Sequence, residues 1–104
     1  MVGGAPISIA NLSLLNENDN FLIQVSKKSK KLDSFLKEEI PSKDKAWMPD
    51  LKSWEINKKW LLKVSDICRE EYDQVFFDFN EDLYDLNDPG NYQQFREKII
   101  EDLL

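Results

Sequence analysis

The chain of 104 residues has no histidine, a single cysteine and three glycines. Each shortage removes a class of chemistry. Without histidine there is no Ser-His or Cys-His catalytic pair and almost no zinc arrangement. With Cys68 alone no intrachain disulfide can form. Gly3, Gly4 and Gly90 do not make a phosphate-cradling loop. No apolar run approaches the ~20 residues of a membrane span. The start, Met-Val-Gly-Gly-Ala-Pro, lacks the charged beginning and long apolar middle of a signal peptide. The expectation is a soluble cytoplasmic protein forming one domain over 1–104.

Carboxylates are the remaining source of chemistry, and they do not converge. Asp78-Phe79-Asn80-Glu81-Asp82 begins like a calcium loop, with oxygen ligands at positions one, three and five. The sixth position should be glycine and is Leu83; the twelfth should be glutamate and is Pro89. No carboxylate pair stands out for general acid–base work. Cys68 falls on the apolar stripe of a helix, where a thiol behaves as a small hydrophobe. No cofactor, no metal and no catalytic activity are expected.

What the chain does have is aromatic residues, at 12% of the total, and a strong partition of charge within a net −6. Lys27 to Lys63 holds 11 lysines against 6 acids; Val64 to Leu104 holds 12 acids against 3 bases. Such asymmetry fits a basic binding face beside an acidic segment, or two faces of opposite sign that neutralise each other across the fold.

Hydrophobic periodicity gives the elements. Ile7, Ile9, Leu12 and Leu14 suggest a strand whose alternation slips near Ala10-Asn11, as at a bulge or a bend. Asn16 to Asn20 reads as a turn, and Phe21, Ile23 and Val25 alternate as a second strand. Leu32, Phe35 and Leu36 stripe a helix over about 29–39, which Pro41 ends. Ala46-Trp47 and Ser53-Trp54-Glu55-Ile56 form a hairpin around Pro49-Asp50. Trp60, Leu61, Val64, Ile67 and Cys68 stripe a second helix, capped by Asn57. Val75 to Phe79 is a strand apolar enough to be internal. An acidic connection over 80–88 follows. Asp88-Pro89 then starts a last helix, 89–104, with Tyr92, Phe95, Ile99 and Leu103 on one stripe. The order β-β-α-β-β-α-β-α defines an α+β domain: a small, mostly antiparallel sheet with two helices packed on it and a C-terminal helix.

Two groups of residues carry the functional reading. Lys27, Lys28, Lys30 and Lys31 crowd the start of the first helix, where the helix dipole disfavours cations, while Glu38 and Glu39 sit at the other end. That order suits a docked anion, or neutralisation by the acidic half. Lys43, Lys45 and Lys52 lie among Trp47 and Trp54 in the block from Ile40 to Trp54. The two tryptophans face each other across the hairpin, as binding aromatics or, the favoured reading, as its apolar underside. Trp60 is expected in the core.

The stretch Phe21-Leu-Ile-Gln-Val25, the helix Leu32-Asp-Ser-Phe-Leu36, the hairpin Trp47-Met-Pro-Asp-Leu-Lys-Ser-Trp54 and the helix after it resemble the HARP domain of annealing helicases. The resemblance covers roughly residues 21–66, and a HARP-like core would extend to about 79. It implies an accessory module that binds DNA, particularly structured or junction DNA, beside a separate motor. Lys43, Lys45, Lys52 and the hairpin around Trp47 and Trp54 would then be the contacting region. The chain itself has no motor, and its acidic stretch from Asp66 onward departs from the family pattern. The alternative is an acidic interaction domain, or a mimic of nucleic acid, in which Asp78, Glu81, Asp82, Asp85 and Asp88 dock on a basic partner protein.

Overall fold

A computed structural model describes residues 7–14, 18–99 and 101. Six strands form one mixed sheet: β1 (Ile9–Leu14), β2 (Asn20–Val25), β3 (Lys45–Met48), β4 (Ser53–Asn57), β5 (Gln74–Phe79) and β6 (Asp82–Asp85). Their spatial order is β3-β4-β2-β1-β5-β6. All pairings are antiparallel except β1 with β5, so the mostly antiparallel α+β architecture holds. The helices are α1 (Lys30–Glu38), α2 (Leu61–Glu71) and α3 (Pro89–Gln94), the last passing into a π-helical turn over Phe95–Ile99.

The register explains which residues are buried. Ala10 and Leu12 of β1 lie opposite Val25 and Ile23 of β2, and opposite Val75 and Phe77 of β5. Ile56 of β4 lies opposite Phe21. These side chains form one inward row set that packs with Leu32 and Leu36 of α1, Leu61, Val64 and Cys68 of α2, and Phe95. The opposite face presents Asn11, Ser13 and Gln24 to solvent. A sheet covered on one side only gives this alternation of apolar and polar residues.

Three sequence expectations are corrected. β1 has no bulge: its register with β2 is continuous, because Ala10 takes the inward place and Ile9 turns outward. The acidic connection contains β6, which short length and exposed acids concealed. The last helix leaves α-helical geometry at Phe95, so Tyr92 and Phe95 are buried but on a distorted helix; Leu103 lies outside the described residues. The expected turn over 16–20 also lies partly outside them.

β5 and β6 are joined by a two-residue loop in which Asn80 and Glu81 both take positive φ, 51° and 75°. That is the signature of a type I′ turn, whose second position favours glycine. Glu81 is held there by its backbone N–H, which donates to Asp78 Oδ1 at 3.1 Å. Glu81→Gly should therefore raise unfolding stability by about 1 kcal/mol in urea titrations, through relief of left-handed strain.

The ends of β1 and β5 are clasped. Asp73 accepts from the Ser8 N–H at 3.0 Å and the Ser8 hydroxyl at 3.2 Å, while its own N–H donates to Ser8 Oγ at 3.0 Å. The backbone and side-chain donors of Ser8 hold the Asp73 carboxyl below the usual carboxylate range. A depressed folded pKa gives stabilisation that is present above the ordinary value near ~4 and lost as pH falls through the folded value. Asp73→Asn should thus destabilise the protein at pH 7 and flatten its loss of stability below pH ~4, read by denaturant midpoints across pH.

Candidate nucleic-acid interface

The hairpin β3–β4 brings the two tryptophans into register, with Trp47 directly opposite Trp54. Their ring centroids are 5.4 Å apart at an interplanar angle of 60°. Trp54 is half-buried beside Ile23, but Trp47 is 49% exposed. The reading of both rings as a buried underside therefore fails for Trp47: β3 is the edge strand, and among the described residues no strand lies beyond it. Trp60 is also at the margin. Its ring meets Phe35 edge-on at 5.9 Å and lies under Lys59 and Lys63, and its indole N–H donates to Asp44 at 3.1 Å. That bond, with the Lys59 ammonium 3.0 Å away, holds Asp44 below the usual carboxylate range.

Between the first turns of α1 and the hairpin runs a groove of about 510 Å³. Its apolar wall comes from Ile23, Val25, Leu32, Leu36, Pro49 and both tryptophans. Lys27, Lys28 and Lys52 stand along it, together with Asp33. Lys52 is carried by the hairpin turn, where its φ is 49° and its N–H donates to Pro49 O at 3.2 Å. Among the described residues none of these three lysines lies within salt-bridge distance of a carboxylate.

The segment bearing Lys27 and Lys28 is fixed from several sides. Ser26 N–H donates to Ile9 O, and Ser26 Oγ accepts from Ile9 N–H. The buried Tyr72 hydroxyl donates to Lys27 O at 2.7 Å; burial, the largest cause, pushes the phenol pKa up to about 12. Ser29 caps α1 by accepting from Leu32 N–H, and its hydroxyl donates to Glu71 at 2.8 Å. These bonds fix the backbone that carries the two lysines and leave their exposed side chains free to reorient.

The seven lysines expected to act together divide into three kinds. Lys27, Lys28 and Lys52 share the groove. Lys30 and Lys43 are exposed outside it. Lys31 pairs with Glu70 of α2, and Lys45 donates to Leu36 O at the C-terminal end of α1. Lys45 thus works as a helix C-terminal cation that ties β3 to α1. Asp33 is the groove residue that the sequence reading missed; its place beside Leu32 and Leu36 on α1 was the available signal.

The acidic candidates lie at the other edge of the sheet, on β5, β6 and the loops next to them. Asp78 holds the turn at Glu81, Asp85 Oδ1 accepts from Asn87 N–H, and Asp88 caps α3 through the N–H groups of Gly90 and Asn91. Glu81 and Asp82 are exposed. Cys68 is buried, and desolvation pushes its thiol up to about 12. No group of potential metal ligands occurs among the described residues, and none of their helices is long and apolar enough to cross a membrane. Comparison with known proteins gives no matching family model, no matching curated protein and no matching solved structure.

The exposure of Trp47 predicts a small structural role. Trp47→Ala should cost about 1 kcal/mol of unfolding stability, the worth of an exposed cross-strand aromatic pair. Ile56→Ala, at a fully buried position of the same hairpin, should cost about 2–5 kcal/mol. Urea unfolding of the two variants side by side checks the contrast.

Proposed function

We propose that the chain is a non-catalytic nucleic-acid-binding module whose contact surface is the groove between α1 and the β3–β4 hairpin. The observation that carries this reading is the joint placement of two tryptophans and three unpaired lysines along one apolar groove. Aromatic faces stack on unpaired bases of any sequence, and lysines spaced along a groove track the phosphates beside them. The ligand is a single strand, or the unpaired part of a structured DNA, because the bases of an intact duplex are already stacked. The resemblance of residues 21–66 to the HARP domain points the same way, toward an accessory DNA-binding role beside a separate motor. Lys30 and Lys43, exposed outside the groove, extend the basic surface to neighbouring phosphates.

Docking of the acidic segment on a basic partner has less behind it. Asp78, Asp85 and Asp88 are each engaged in a turn or a cap of their own chain.

Binding to a fluorescently labelled single-stranded oligonucleotide, titrated over salt, tests the proposal. Three groove lysines at a single-strand coefficient of ~0.7 each should contribute about 2 to the slope of log K against log salt. Changing Lys27, Lys28 and Lys52 to alanine should remove that share, and Lys45→Met should leave it. No binding to single-stranded, forked or duplex probes at low salt sinks the proposal.

A further inference from the structure

Asp33 is the one feature of the groove that works against a polyanion. It lies in the first turn of α1, half-buried, and lines the groove together with both tryptophans. Its backbone N–H closes the helix on Ser29 O at 2.9 Å, but its carboxylate makes no hydrogen bond or ion pair with any described residue. The position is favourable for the helix dipole, but that benefit is available at any first-turn position and does not require the side chain to line a groove. A carboxylate lining a groove is an acceptor-only group, so a ligand that displaces its water has to present donors to it.

We propose that the groove selects guanine, with Asp33 accepting from the base edge while the tryptophans take its ring and Lys27, Lys28 and Lys52 take the phosphates. This rests on the nucleic-acid reading above and names the base. Guanine presents two parallel donors, N1–H and the 2-amino group, matched to the two oxygens of a carboxylate. Adenine and cytosine each offer one amino donor beside a ring-nitrogen acceptor, which repels the second oxygen. Thymine offers one N–H between two carbonyl oxygens and is the worst match. Bidentate side-chain recognition of a base edge is strong enough to discriminate on its own.

The test uses the intact chain and five pentanucleotides of thymidine whose central base is thymine, guanine, hypoxanthine, adenine or cytosine. Quenching of tryptophan fluorescence and competition against a labelled probe give the affinities. Guanine should bind roughly tenfold more tightly than thymine, the scale of one good bidentate contact. Hypoxanthine, which keeps N1–H and lacks the amino group, should fall between them. Asp33→Ala, which removes both acceptor oxygens and leaves no group to pair with the base edge, should erase the guanine advantage, so that guanine and thymine strands bind alike. Guanosine monophosphate separates a strand from a free nucleotide as the source of the base. It should bind more weakly than the guanine pentanucleotide, because it lacks the flanking phosphates, and equal binding would overturn the strand. Equal affinities for thymine and guanine in the unmodified protein overturn the assignment of Asp33, as does a guanine preference that survives Asp33→Ala. Either result leaves salt-dependent strand binding standing, whereas absence of binding to every oligonucleotide removes the underlying reading as well.

Discussion

The parallel pairing of β1 with β5 is the constraint from which the rest of the arrangement follows. β1 is paired along its length on both sides, to β2 by an antiparallel ladder and to β5 by the one parallel ladder among the described residues. It therefore joins two chain segments that otherwise grow in opposite directions. β2, β4 and β3 extend the sheet one way, β5 and β6 the other. The Ser8–Asp73 clasp fixes the start of this pairing with two mutually bonded residues 65 apart in sequence. Because the lysine-rich segment belongs to one wing and most of the acidic segment to the other, the charge partition along the sequence becomes a partition in space.

That separation is incomplete in an informative way. The end of α2 returns Glu70 and Glu71 to the start of α1, where they engage Lys31 and Ser29. Lysines against a helix dipole are thus partly compensated by acids from a neighbouring helix. Lys27 and Lys28 precede the helix cap and make no salt bridge with a described residue, and the Lys27 carbonyl is held by the Tyr72 hydroxyl. The same logic separates Lys45 from Lys52 on the hairpin. One is spent on a helix terminus, and the other is left at the turn facing the groove.

Much of the fold was legible because period and punctuation agreed. Phe21, Ile23 and Val25 alternate cleanly, Pro41 stops α1, and Asp88-Pro89 starts α3 with a cap. β6 was not legible, since a four-residue edge strand of Asp-Leu-Tyr-Asp has almost no buried side and resembles a loop by composition. The tryptophan pair was legible as a pair. The exposure of Trp47 was not, because it depends on β3 being the edge, a fact of strand order that no local pattern encodes. For the same reason the lysines were found as a cluster but could not be sorted. Which of them meets a carboxylate, a carbonyl or open solvent depends on contacts between segments far apart in sequence.

The edge-to-edge placement of charge bears on what a net charge of −6 means at any one point of the surface. Six strands at ~4.8 Å spacing put roughly 24 Å between the β3 and β6 edges. At physiological ionic strength the Debye length is ~8 Å, so the two edges are about three screening lengths apart. Net charge is then a poor guide to the potential at either edge, because the near field dominates there. Lysines and acids gathered at opposite edges give the two ends of the sheet fields of opposite sign.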